Sequence, residues 1–208
     1  MGEHTADARP SGEVVPFDQP PRDLEAIAAG AARGDSASIL LLYDRFGPLV
    51  NRFVWRLLGA DGEHNDVVHD VFVNVLESIG SVKTPSVLEQ WICGVTVYTV
   101  RHELRKRKFY RLFHIVSDID DRCAVPSNPE AHLALRRFYE VLGGMPANDR
   151  IIFVLRFVDG RRLSEIGSIC DCSYAAVKRR IKRAREEFFR RAGDEPFLTR
   201  LVEGFDDG

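Results

Sequence analysis

The 208-residue chain has no long apolar run. Nowhere does hydrophobicity persist for the roughly 20 residues that a bilayer-spanning helix needs, and the polar opening from Met1 to Pro10 holds no signal-peptide core. Both absences predict a cytoplasmic protein without membrane insertion. Cysteine is scarce. Cys93 and Cys123 stand alone, and Cys170 and Cys172 sit too close together for a usual zinc spacing without a second pair. Free cysteines in small apolar roles are the expectation, with no metal and no cofactor. Also missing are a phosphate-cradling glycine loop, a patterned Ser/His/Asp or Cys nucleophile, and any internal repeat. The dipeptide His69-Asp70, near Glu63, His64 and Asp66, invites a metal-dependent phosphohydrolase reading. On a helix, however, those two side chains point about 100° apart, and His102, His114 and His132 bring no supporting pattern. The chain does not read as an enzyme.

With 45% hydrophobic residues, there is material for one sizeable core or two small ones. From Asp23 onward the apolar spacing is helical, which predicts helices over about 22–33, 36–58, 64–79 and 86–108, then 130–143, 147–158, 162–169 and 174–191. The fold class expected is all-α, in two small helical domains joined by a flexible linker. Residues 1–21, rich in Gly, Pro and charge, read as a disordered tail. The first domain takes 22–108. The stretch 109–129 loses the period and carries Asp118, Asp120, Asp121, Pro126 and Pro129, so it reads as the linker. The second domain takes 130–192, and 193–208 is an acidic tail.

Net charge is only −2, so there is no global basic field, but the bases are segregated. One run is Arg101, Arg105, Lys106, Arg107, Lys108 and Arg111; the other spans Lys178 to Arg185 and continues to Arg190 and Arg191. In the helix from Tyr174, Val177, Ile181, Ala184 and Phe188 fall on one stripe, with Ala175, Lys178, Arg179, Lys182 and Arg183 opposite. Ser173 is placed to cap it. Before it, Leu163, Ile166 and Cys170 mark the inner side of a short helix, and Asp171-Cys172 supplies a tight turn. Two helices, a short turn and small residues at the second start (Ala175, Ala176) are the pattern of a helix-turn-helix. A solvated basic face would mix signs for i,i+4 pairing, yet no acidic residue lies between Lys178 and Arg185. A polyanion is the fitting partner, and duplex DNA is the one this motif grips.

The first domain holds two further patterns. Over 63–79, Val67, Val68, Val71 and Val75 form a core stripe with Phe72 at its edge, while Asp66, Asp70 and Asn74 project elsewhere as an acidic ridge. Over 86–108, Leu88, Ile92, Val95 and Thr99 line one side. Trp91, Tyr98, Arg101 and Arg105 line a neighbouring side, with Gly94 among them. Aromatics interleaved with arginines suit a single strand, because every base has a face to stack on and a phosphate to neutralise. A core role for Trp91 and Tyr98 is the alternative.

In order and spacing, these pieces resemble the bacterial sigma factors of the sigma-70 family, in the small extracytoplasmic-function group that keeps only regions 2 and 4. The resemblance runs over about 23–192. It rests on Asp35-Ser36-Ala37 through Leu41-Leu42-Tyr43-Asp44-Arg45-Phe46, on Asn65-Asp66-Val67-Val68-His69-Asp70-Val71-Phe72, on Gln90-Trp91-Ile92 and on Leu104-Arg105-Lys106-Arg107. In the second domain it rests on Met145-Pro146-Ala147-Asn148-Asp149-Arg150 through Leu155-Arg156-Phe157-Val158-Asp159-Gly160, Val177-Lys178 and Arg183-Ala184-Arg185. It implies a non-enzymatic factor that binds core RNA polymerase, at the β′ clamp and β flap, and recognises promoter −10 and −35 elements as single-stranded and duplex DNA. It also implies an anti-sigma partner. The residues it places are Asp66, Asp70, Phe72 and Asn74 on polymerase. Lys83, Trp91, Tyr98, Arg101 and Arg105 go on the −10 strand. Ser173, Tyr174, Ala176, Lys178, Arg179, Lys182 and Arg183 go on the −35 duplex. The loop Gly80 to Pro85 matches the family's pocket for a flipped −10 base. Val97, Tyr98 and His102 stand where the family has Arg, Asn and Asp, His69 replaces a Gln, and Asp171 replaces a turn Gly. The alternative is a helix-turn-helix repressor or activator acting without promoter melting, for which a dimerisation seam is wanting.

Overall fold

The structure, a computed structural model, describes residues 22–59, 63–82, 84–113 and 129–193, with 195, 196 and 198. The tail 1–21, most of the acidic tail, residues 114–128 of the expected linker and Lys83 lie outside the described residues. Helices follow one another throughout: α1 (Arg22–Ala32), α2 (Ser36–Leu58), α3 (His64–Ser78), α4 (Leu88–Phe113), α5 (Pro129–Gly144), α6 (Ala147–Phe153), α7 (Leu163–Ile169) and α8 (Tyr174–Ala192). Among the described residues there is no strand. The chain is all-α, as the spacing predicts.

Local chemistry sets the helix starts. The Asp35 carboxylate accepts from the Ser38 backbone N–H at 2.9 Å, satisfying one free amide at the head of α2. Glu165 reaches back to the Arg162 backbone N–H at 2.7 Å and begins α7 the same way. α4 outruns its expected end at 108 by a turn. No Gly or Pro occurs between Gly94 and Pro126, so the loss of apolar period at 109 does not break the backbone ladder.

The valine stripe of α3 (Val67, Val71, Val75) packs between Leu42, Val54 and Leu57 of α2 and Leu88, Ile92 and Val100 of α4, all buried. In the second half, Phe153 of α6 stacks on Phe188 of α8 at 4.2 Å between ring centroids. Phe138, Leu142, Ile166, Val177 and Ala184 complete that core. A buried aliphatic or Phe side chain contributes about 1.5–3 kcal/mol, so these clusters hold the helices together.

One feature departs from the sequence expectation. The helix expected over 147–158 is α-helical only to Phe153; residues 154–158 widen into a π turn, closed by Asp159 N–H on the Val154 carbonyl at 2.9 Å. The two domains also touch among the described residues. α4 packs against α6 and α7, and the buried residues of both halves form one continuous cluster.

Candidate nucleic-acid interface

The helix-turn-helix is α7, a turn at Cys170–Ser173, and α8. Asp171 takes φ 49°, the left-handed conformation that glycine usually supplies and that Asp adopts more readily than most residues. The Gly167 position is tight: a Cβ there would lie 3.0 Å from the Cys172 carbonyl oxygen. Ser173 then caps α8, its hydroxyl accepting from the Ala176 backbone N–H at 3.3 Å.

α8 turns Val177, Ala184 and Phe188 fully inward and leaves Ile181 half-buried. Ser173, Tyr174, Lys178, Arg179, Lys182 and Arg183 are exposed, and Ala176 is half-buried. Lys182 has 81% of its side chain accessible, with Glu186 4.0 Å away as a loose partner. The Lys178 ammonium lies 5.2 Å over the Tyr174 ring, a cation–π contact that holds both at the helix start. Arg183 differs from its neighbours. Its Nε donates at 2.9 Å to Oδ1 of buried Asp149 on α6, and Nη2 donates to the same oxygen. Sequence reasoning missed that pairing, although Asp149 lies within the quoted Met145–Arg150 signature.

On α4 the structure divides the expected side. Tyr98 is 66% exposed and Arg105 is exposed, so both present themselves to a ligand. Trp91 is half-buried and packs on the core. Arg101 faces the second domain, its Nε buried with no hydrogen-bond partner among the described residues. Val97, where the family carries Arg, is 1% exposed and is a core residue. His102 is exposed, one turn from Tyr98.

On α3, Asp66 and Asp70 are exposed. Phe72 is not at an edge: it is 6% exposed, its ring 4.7 Å from that of Tyr43. Asn74 does not join the acidic ridge either; its Nδ2 donates to Thr99 Oγ1 at 3.0 Å and ties α3 to α4. The reason is angular. Two turns beyond Asp66, position 74 has drifted toward the α4 side. Cys93 and Cys170 are buried, and burial pushes both thiols up to about 11, consistent with packing roles.

A two-domain helical protein with an exposed basic recognition helix in one domain and an aromatic–arginine helix in the other defines a DNA-binding class. The family model for sigma-70 region 2 matches residues 42–110, and that for sigma-70 region 4 matches 135–188, together more than half of the chain. The extracytoplasmic-function (ECF) RNA polymerase sigma factor EcfG of Rhodopseudomonas palustris (strain TIE-1) is 27% identical over 144 residues, 67% of this chain and 77% of that protein. Among solved structures, CnrH in complex with the cytosolic domain of CnrY superposes with TM-score 0.54 at 23% identity, covering 88% of this chain and 97% of that one. The sigma factor RpoE of Bartonella quintana in complex with the anti-sigma factor NepR gives 0.53 at 21%, covering 69% and 89%. The chain belongs to the sigma-70 family, in its extracytoplasmic-function group. It is a sigma factor, directing promoter-specific initiation of transcription; a regulator acting without promoter melting is not favoured.

Proposed function

We propose that the exposed face of α8 reads the −35 duplex through Ser173, Tyr174, Lys178, Arg179 and Lys182, with Arg183 anchored beside them. The observation that carries this reading is the unbroken basic face from Lys178 to Arg183, set on a capped helix start with small residues that let the backbone approach a groove. α4 holds the unpaired −10 strand with Tyr98 as a stacking platform and Arg105 on phosphate. Lys83 belongs to the preceding loop. Exposed Asp66 and Asp70 form the ridge for the polymerase β′ clamp; Phe72 and Asn74 act behind it, one by packing and one by fixing α4. The second domain meets the β flap. The division at 22–108 and 130–192 follows the same assignment, with 109–129 as connection and the terminal segments outside both.

The protein performs no catalysis of its own; it positions polymerase. An anti-sigma partner belongs to the same reading, supported by the structural likeness to a sigma factor in complex with one. Among the described residues, no helix is long and apolar enough to cross a membrane. In vitro transcription with core polymerase on a genomic library tests the proposal. Initiation from a discrete promoter set, with a shared two-part motif, is the expected result. Absence of initiation from any fragment would overturn it.

A further inference from the structure

Asp149 and Asp159 each have a side chain only 5% exposed, and each is paired with an arginine. The Asp159 pair is a tie between helices. Its partner, Arg56, lies near the end of α2, where the Tyr139 ring of α5 also meets Trp55 edge-on and crowds Gly59. The Asp149 pair is of another kind. Its partner, Arg183, is 61% exposed and stands on the outer face of α8 with Arg179 and Lys182. An ion pair to so exposed a guanidinium adds little stability, and α6 is already held to α8 by the stacked rings of Phe153 and Phe188. What the pair fixes is direction.

A guanidinium is a planar fork whose five N–H donors lie along two usable edges. Asp149 takes one edge, with Nε and Nη2 of Arg183 both donating to its Oδ1. The other edge, Nη1 with the second hydrogen of Nη2, faces away from the carboxylate. The acids that share the groove do not compete for it: Glu187 accepts from Arg190 and Arg191, and Glu186 lies 4.0 Å from Lys182.

We infer that Asp149 is a positioning residue for base reading, holding Arg183 so that its free edge meets O6 and N7 of a guanine in the major groove. The inference rests on the assignment of α8 to the −35 duplex. Guanine presents two adjacent acceptors on that edge, the match for two parallel N–H donors, whereas adenine sets a donor beside its N7 and repels one of them. Asp149 also offsets the charge of Arg183, which makes this arginine a weaker phosphate ligand than Lys182 and leaves it for the bases. Its place on the helix is suitable. From Tyr174 to Arg183 the helix rises about 14 Å at ~1.5 Å per residue, the run of about four base pairs, so one groove accommodates the whole face.

The experiment lets the full-length protein, free and bound to core polymerase, select duplexes from a random-sequence pool. Wild type should enrich a motif in which guanine is preferred about tenfold at one position. Arg183→Lys, which keeps the charge and loses the fork at an exposed site, should flatten that position and leave the rest of the motif. Asp149→Ala should reduce the preference to within about twofold and steepen the slope of log K against log salt by about one, as the released charge moves to a phosphate. Asp149→Asn, which keeps an acceptor oxygen, should retain the preference. In an Arg183→Ala background, Asp149→Ala should change neither readout. A purely structural Asp149 would instead lower affinity for all sequences alike and leave base preference and slope as they are. Far-UV circular dichroism establishes that helicity is unchanged in each variant, and Arg183→Lys tests the fork without touching the core. A guanine preference that survives Asp149→Ala or Arg183→Lys would overturn the inference and leave α8 as the −35 reader. Absence of an enriched motif with every protein would overturn both.

Discussion

A guanidinium aimed at DNA loses rotamer freedom when it binds, and Arg183 has already lost much of it to Asp149. Lys182, one residue before, has no such restraint. Lys182→Glu should therefore weaken −35 duplex binding and lower the slope of log K against log salt by about one, the signature of one lost phosphate contact. An unchanged slope in a salt titration would remove Lys182 from the phosphate set. On α4, Tyr98→Ala should cost about 1–3 kcal/mol in single-strand binding if the exposed ring stacks on a base. Unaltered affinity in fluorescence anisotropy would deny it that role. Val97 explains itself at this scale. The residue that breaks the family's Arg pattern lies in the core, and the exposed Tyr98 and His102 stand beside it, Tyr98 being the one proposed to meet the strand.

Each helix is legible to the extent that its own residues decide it. The inner stripe of α8, its Ser173 cap and the left-handed Asp171 turn all follow from spacing and side-chain chemistry within about twenty residues. Ser173→Ala should cost about 1 kcal/mol, read as a lower urea midpoint with an unchanged slope. At the other end of α8, Glu187 accepts from Arg190 and Arg191, and these bonds hold its carboxyl down to about 2 against an ordinary 4.5. A depressed carboxylate contributes fully above its unfolded pKa and loses that contribution as pH falls through its folded value. Glu187→Gln should hence be less stable than wild type near neutrality, with the gap closing between pH 4.5 and about 2 in acid titrations followed by circular dichroism. The π turn at 154–158 was not legible, because no residue there is foreign to an α-helix. Asn74 was misplaced for a related reason: its partner Thr99 lies on another helix, 25 residues away.

Contacts between the halves have no local signature at all. Arg56 and Asp159 are 103 positions apart, and each reads in the sequence as an ordinary surface charge. Segregated bases and an aperiodic stretch correctly suggested two units, but periodicity carries no information about whether two units touch. Because the buried cluster runs through both, heating the whole protein should give one calorimetric transition, and Tyr139→Ala should split it into two. Two transitions already present in wild type would show that the halves unfold independently.

Gly59 is constrained twice, by its φ of 78° and by the Tyr139 ring, which a Cβ at 59 would approach to 2.6 Å. Those constraints separate in genetics. Losing the aromatic at 139 frees the space over 59 but not the backbone conformation. Saturation of position 59 should accordingly return glycine among well-folded variants whether or not residue 139 is aromatic.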